Sequence, residues 1–362
     1  MAEGILKVLA LVAYPLCQAP GQRYRIEQWA PFLAREGIEV SFRPFAGEEL
    51  ARVLYEPGFY GRKASEMARC VLRRFRDVWA ARHFDLVFLH REASLIGPAW
   101  FERLARHRNP RIVFDFDDAV WLPYRSPRNR YLSYLKAPGK TAAICRLARA
   151  VIAGNEYLAQ YARRYNDRVF VVPSTVALTT YQPKPDSATR GLPVIGWTGS
   201  HSSAQYLRLV ERPLRALAER YRFRFLVIGA GEVKIPGVDV ECRPWRSDTE
   251  VRDLWELDVG IMPLPDDPWT RGKCAMKAIQ YLAVGIPAVV SPVGANTEVI
   301  RHGENGFWAA NEDDWVAFLG RLLSEPDLRR RMGVAARSAA ASWYTAEKQA
   351  PRVAEILRSV RA

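Results

Sequence analysis

Three cations, Arg271, Lys273 and Lys277, sit in and just beyond a glycine-containing loop that opens a predicted helix. A helix N-terminus offers unpaired backbone N–H groups and about half a positive charge, so added cations oppose its dipole unless an anion is bound. The arrangement therefore predicts an anion site suited to a nucleotide carrying two phosphates. A second cluster lies in IVFDFDDAVW, where a strand at 111 to 116 delivers Asp115, Asp117 and Asp118 to its C-terminal end. That edge of an α/β sheet is where ligands bind. A carboxylate there can accept the proton of an attacking hydroxyl or stabilise a cationic centre, and like-charged neighbours are expected to raise one pKa of the group. Helix capping by Asp118, or pairing with an arginine, is the structural alternative. Asp115-Phe116-Asp117 is also a D-x-D, a set of hard oxygen ligands that suits Mn²⁺ or Mg²⁺ beside a diphosphate. A third group, Gly21, Arg23 and Arg25, lies in YPLCQAPGQRYRIEQW before a helix. It reads as a loop that meets an acceptor or phosphate group, or as surface arginines.

The elements that must hold these groups alternate. Apolar strand-like runs at 5–13, 38–43, 84–90, 111–116, 150–153 and 168–172 are separated by helical patterns at 23–36, 63–82, 94–107, 129–149 and 155–165. A second series has strands near 193–198, 223–229, 258–262 and 287–291, and helices near 202–221, 247–255, 274–284, 312–323 and 326–341. Strand-helix alternation implies parallel, doubly wound sheets covered on both faces. The Pro/Ser/Thr-rich stretch PKPDSATRGLP puts the boundary near 188, giving an N-terminal domain of 1–188 and a C-terminal domain of 189–345.

Between Trp269 and Phe307 the blocks Gln280-Tyr281-Leu282-Ala283-Val284-Gly285-Ile286-Pro287, Val293-Gly294-Ala295-Asn296-Thr297-Glu298-Val299-Ile300 and His302-Gly303-Glu304-Asn305-Gly306 follow the basic loop-helix in order. In order and spacing they resemble the donor-binding domain of GT-B glycosyltransferases, in particular the retaining family 4. The resemblance implies two Rossmann-like domains facing across a cleft, with the final helix, 346–362, packed back on the acceptor-side N-terminal domain. It also implies a hexosyltransferase that moves sugar from a nucleoside diphosphate sugar, UDP- or GDP-linked, to a hydroxyl on a glycan, lipid-linked or small-molecule acceptor, with retention and without a required cofactor or metal. Carried over to this chain, the donor site comprises Arg271, Lys273, Lys277, Gln280, Gly199, Ser200, Gly229, Trp245, Asn296, Thr297 and Glu298. Asp117 falls on the position of the family's sugar-facing His, so Asp117 and Asp118 are the candidate catalytic residues. Gln280 and Gly272 stand where the family carries the two acids of E-x7-E, so ribose contact falls to an amide. A non-catalytic sugar-nucleotide-binding protein and a GT-B-like epimerase are alternatives, and D-x-D leaves a metal-dependent GT-A-like transferase as another.

Net charge is +14, and residues 1–180 hold 28 Lys and Arg against 17 Asp and Glu, so the positive field belongs to the first half. No helix-turn-helix, zinc-finger or RNA-binding signature accompanies it, which excludes nucleic acid as the expected partner. An anionic acceptor or membrane surface fits better. The segment KASEMARCVLRRFRDVWAAR predicts a helix with Ala64, Met67, Ala68, Val71, Leu72, Phe75, Val78 and Trp79 on one face and Arg69, Arg73, Arg74 and Arg76 off it. That pattern fits a helix packed on a sheet, the favoured reading, or one lying on an anionic bilayer. Five separated cysteines and an apolar start that reads as a first strand point to a cytoplasmic chain, with peripheral placement at the inner face of a membrane as an option.

Overall fold

The computed structural model describes residues 5–361 apart from 55, 57, 123–136, 138 and 186–190. It divides into two compact units, residues 1–175 with 346–362, and residues 176–345.

Among the described residues the first unit contains strands β1 (Leu6–Val12), β2 (Ile38–Pro44), β3 (Leu86–His90), β4 (Ile112–Phe116), β5 (Ala150–Ala153) and β6 (Val169–Val171), all parallel, in the order β2-β1-β3-β4-β5-β6. β3 and β4 are buried along their whole length, as both faces of a parallel sheet are covered. One face packs Trp29 and Leu33 of the helix Gln28–Arg35 and Val353, Leu357 and Val360 of the final helix, Ala346–Arg361, against Val8, Ala10 and Phe88. The chain order reverses between β1 and β3, so the topological switch point lies at the C-terminal ends of those strands.

The second unit repeats the plan with β7 (Val194–Thr198), β8 (Arg224–Ile228), β9 (Val240–Arg243), β10 (Val259–Met262), β11 (Ala288–Val290) and β12 (Gly306–Trp308), again parallel, ordered β12-β11-β10-β7-β8-β9. Its switch point falls between β7 and β10, as in dinucleotide-binding sheets. Ile195, Phe225 and Val259 of the sheet bury against Leu214, Leu319 and Met332 of the flanking helices. β9 and β12 are short edge strands absent from the sequence expectation.

Three expectations need correction. The division falls at Thr175 and not near 188, because residues 176–185 are bound to the second unit: the Lys184 amide donates to the Val284 carbonyl at 2.9 Å and its Nζ pairs with Asp258 at 2.8 Å. The predicted helix 129–149 is observed as Lys140–Leu147, its first part lying outside the described residues. In the helix Tyr60–Ala80, Cys70, Arg74, Asp77 and Val78 face inward, while Leu72, Phe75 and Trp79 are exposed. Arg74 is drawn in because its guanidinium donates to the carbonyls of Val12 and Arg43, which end β1 and β2.

Candidate functional site

In the first unit the register sets the chemistry. His90 lies opposite Asp115 across β3 and β4, and residues that pair in a parallel register point to one face. His90 Nδ1 is accordingly 2.7 Å from Asp115 Oδ2. Asp115 is fully buried and also takes Nε of Arg25 at 2.9 Å, while Arg25 Nη1 donates to the Val172 carbonyl at 2.8 Å. Burial would push the Asp115 carboxyl up, but Arg25 and His90 outweigh it and hold it below the usual carboxylate range. Just past the strand end, Arg91 bridges the other two acids: Nε to Asp117 Oδ1 and Nη2 to Asp118 Oδ2, each at 2.6 Å. Arg91 has φ +59°, a left-handed conformation that costs roughly 1–3 kcal/mol in a non-glycine residue and is found at functional sites.

Asp117 is 7 % exposed. Burial opposes its ionisation, yet Arg91 above all, with His90 and Arg25, depresses its pKa strongly. The expectation that crowding would raise one pKa in this group is thus reversed for Asp115 and Asp117, because a guanidinium stands at each. Gly21 closes over the pair: a Cβ there would meet Asp117 Oδ2 at 2.5 Å and Arg91 Nη2 at 2.6 Å. Arg23 and Arg25 part company. Arg23 lies over the Tyr24 ring at 4.3 Å, whereas Arg25 is wholly buried and structural, since Asp115 requires a cation. Arg25, His90 and Arg91 were not legible as one group in sequence; the parallel pairing of β3 with β4 is the signal that assembles them.

In the second unit, the predicted donor residues gather at the ends of β7, β8 and β10. Gly199 follows β7, and a Cβ on it would lie 2.6 Å from Lys277 Cε and 2.6 Å from the Trp197 ring. Gly229 follows β8 with φ +86°, and a Cβ there would be 2.4 Å from the Gly199 carbonyl and 3.1 Å from Trp245 Cβ. Only glycine permits this approach of two strand-end loops. Lys277 Nζ lies 5.3 Å from the Trp197 ring centre, and Lys273 Nζ 4.8 Å from that of Trp269, within cation–π range. Lys277 belongs to the helix Met276–Ala283, whose preceding residue Ala275 has φ +52° and is buried. Arg271 pairs with Asp266 at 2.6 Å on the exposed edge, while its backbone carbonyl would be 2.5 Å from a Cβ on Gly294. The 293–294 turn is therefore seated directly on the basic loop.

Other members differ from expectation. Trp245 is 38 % exposed and its Nε1 donates to Glu250 at 3.0 Å; Arg243, bound to Glu241, Asp253 and Glu256, anchors the loop that carries it. Gln280 is 4 % exposed, and its amide donates to Glu250 and Tyr181, both at 3.1 Å. It is turned into a network with a carboxylate that sequence reading missed. Asn296 is likewise buried, its amide donating to the Ser291 carbonyl at 2.9 Å, so it braces the turn. Thr297 donates to the Gly294 carbonyl at 3.0 Å, and the Glu298 carbonyl accepts from Tyr344 at 2.9 Å. Ser200 is exposed, with its hydroxyl 2.9 Å from that of Ser202. Among the described residues, no group of three or more His, Cys, Asp and Glu side chains is arranged to hold a metal ion. Asp115 and Asp117 of the D-x-D, and the adjoining Asp118, are each engaged by arginine.

Comparison with known proteins bears on the fold and on the second unit. Residues 192–325 match the family described as Glycosyl transferases group 1. A D-inositol 3-phosphate glycosyltransferase from Nocardia farcinica is 28 % identical over 215 residues, a match that spans 50 % of this chain and 46 % of that protein. Among solved structures, sucrose-phosphate synthase from Thermosynechococcus elongatus has a TM-score of 0.72 at 16 % identity, over 98 % of this chain and 99 % of that one. Anabaena HepE, solved with UDP and glucose, has a TM-score of 0.67 at 14 % identity, over 98 % and 100 %. Together with the two six-stranded parallel sheets among the described residues, these likenesses show the two-domain Rossmann-like GT-B fold, and the match to glycosyl transferases group 1 lies within the second unit.

Proposed function

We propose that this GT-B glycosyltransferase moves a hexosyl group from a nucleoside diphosphate sugar to a hydroxyl acceptor, with retention at the anomeric carbon. The observation that carries the reading is the convergence of Lys277, Gly199 and Gly229 at the switch point of the second sheet, inside the matched domain. Backbone N–H groups at the start of a helix, reinforced by Lys277, Lys273 and Arg271, suit a diphosphate leaving group. A leaving group held by cations departs more readily, because charge that develops on it is already compensated. HepE has been solved with UDP-glucose, which makes a UDP-sugar the first donor to try, with GDP-sugars next.

As catalytic residues we propose Asp117 and Asp118. Its depressed pKa makes Asp117 a weak proton acceptor at neutral pH, so we assign it electrostatic stabilisation of a cationic sugar centre before general-base work. No protein nucleophile is required in this reading, because the leaving phosphate itself can take the acceptor proton on the same face. Turnover of a panel of UDP-, GDP-, ADP- and dTDP-sugars, with the anomeric configuration of the product read by NMR, tests it. Donor binding without hydrolysis or transfer would instead favour a sugar-nucleotide-binding protein.

A membrane-apposed acceptor gains support from one observation. The helix Tyr60–Ala80 exposes Leu72, Phe75 and Trp79 along one stripe, with Arg69, Arg73 and Arg76 exposed beside it and Asp77 buried. Apolar side chains rimmed by cations complement an anionic bilayer surface. No described helix is long and apolar enough to cross one. Sedimentation with phosphatidylglycerol vesicles, lost on Leu72→Ser with Trp79→Ser and on raising salt, is the expected result; equal binding to neutral vesicles, or none, would remove this element of the proposal.

A further inference from the structure

We infer that Glu250 is a positioning residue of the nucleotide site, and that position 280 must carry an amide because this carboxylate faces it. The inference rests on the donor-site reading of the second unit. Glu250 is 7 % exposed and opens the helix Glu250–Trp255. Its Oε1 accepts from Trp245 Nε1 at 3.0 Å and from Gln280 Nε2 at 3.1 Å, and its Oε2 accepts from the Tyr181 hydroxyl at 2.9 Å. Tyr181 in turn accepts from the Gln280 amide at 3.1 Å. One buried carboxylate thus gathers donors from separate elements: the segment after Thr175, the loop after β9, and the helix Met276–Ala283.

Two of those elements line the donor site. Gln280 stands one turn beyond Lys277 on the same helix, and residues three apart share a face. Trp245 neighbours Gly229, which neighbours Gly199, which neighbours Lys277. Glu250 therefore fixes the spacing between a half-exposed indole, a flat surface on which a nucleobase can stack, and the lysine set to meet the diphosphate.

The same geometry explains the amide. A glutamate at 280 would bring a second carboxylate to within about 3 Å of Glu250 in a buried setting, where like charges force one of the pair to hold a proton. Glutamine supplies a donor instead, so both Glu250 oxygens are hydrogen-bonded. An acid at one of the two positions and an amide at the other satisfies the network; two acids do not.

The test is titration calorimetry of UDP, GDP, ADP and dTDP into wild type, Gln280→Glu, the exchanged pair Glu250→Gln with Gln280→Glu, and Trp245→Phe, with thermal unfolding followed in parallel. Gln280→Glu is expected to weaken binding of the preferred nucleotide about tenfold or more near pH 8 and to regain affinity and Tm toward about pH 5, as a proton comes to be shared between the carboxylates. Wild type is expected to show no such recovery. The exchanged pair restores one acid and one amide, and is expected within about threefold of wild type. Trp245→Phe keeps an aromatic face, smaller than the indole, but loses the N–H, and is expected to lose about threefold in affinity without loss of Tm. A folded Gln280→Glu that binds like wild type across this pH range overturns the inference, as does an exchanged pair that is folded but no better than the single variant. If wild type binds none of the nucleotides, it is the donor reading that fails, and this inference falls with it.

Discussion

The two units use nearly the same sheet for opposite electrostatic purposes. At the strand ends of the first, charge is internally matched: Arg25 with Asp115, Arg91 with Asp117 and Asp118, and His90 on Asp115. At the strand ends of the second, cations lie over indole faces, Lys277 on Trp197 and Lys273 on Trp269, with Arg271 on an exposed aspartate. A matched buried cluster is rigid and costly to disturb, since removing one partner leaves an uncompensated charge. A cation–π contact is softer and less directional than a buried ion pair, and so constrains its cation less. The difference teaches that the first unit presents a fixed site and the second an adaptable one.

The largest effect follows from the buried pair. Arg25→Met should lower the unfolding free energy by about 3–5 kcal/mol, measured by urea denaturation, because Asp115 is left buried without its cation. Replacing both, Arg25→Met with Asp115→Leu, should recover much of that loss. The pH dependence follows from the lowered Asp115 pKa: its contribution is fully present above the unfolded carboxylate value, about 4, and is lost as the pH falls through the lower folded value. Wild type should therefore lose stability below about pH 4 more steeply than the double variant. Equal stability of Arg25→Met and wild type would break the comparison at its root.

Next in size is catalysis. Asp117→Asn keeps shape and removes charge, and is expected to cut kcat by about 10²-fold or more while leaving nucleotide affinity nearly unchanged. Asp118→Asn should cost less, since Asp118 is the more exposed partner of Arg91. Because the Asp117 pKa is depressed, the rate should show no titration of this group between about pH 5 and 8. Near-normal turnover in both variants would make the cluster a structural device.

How much of this was legible in the sequence differs between the units for the same physical reason. In the second, the blocks from Trp269 to Phe307 are local, and a loop, helix and strand contiguous in the chain carry most of the site. Gly199 and Gly229 lie outside those blocks and were joined to Lys277 only through the resemblance. The Gln280 network was not legible, because its partners Glu250 and Tyr181 are distant in sequence and ordinary in type. In the first unit, strand-helix alternation located β3 and β4, but Arg25 reaches Asp115 over 90 positions, and no periodicity records such a pair. Periodicity placed only part of the buried face of the helix Tyr60–Ala80. Of the eight-residue apolar stripe, Val78 is buried and Met67 and Val71 pack on the core, but Arg74 turns inward to donate to two strand-end carbonyls, and Leu72, Phe75 and Trp79 are left exposed.

A smaller effect is expected at the adaptable site. Lys277→Ala should weaken nucleoside diphosphate binding by about 1.5 kcal/mol, the scale of one charge-assisted contact. Gly199→Ala should act in the same direction, because its Cβ would displace Lys277 and the Trp197 ring. Arg271→Ala should cost less than Lys277→Ala, since an exposed arginine must give up Asp266 to reach a phosphate. If Arg271 proves the more damaging of the two, calorimetry will have moved the centre of the clamp from the helix to the loop.

The smallest effect expected is that of chelation. A diphosphate brought to the start of the helix Met276–Ala283 meets backbone N–H groups and the cations of residues 271–277, which compensate its charge without a bridging ion. The acids that a metal would need on the first unit are instead bonded to Arg25 and Arg91, and to displace a guanidinium from Asp115 would expose a buried ion pair. Activity measured in excess EDTA should therefore match activity without it, and added Mn²⁺ should not raise it. Complete loss in EDTA, restored by Mn²⁺, would mean that Asp117 and Asp118 leave Arg91 for a metal when the donor binds. The matched cluster would then be the adaptable region, and the contrast between the two units would be inverted.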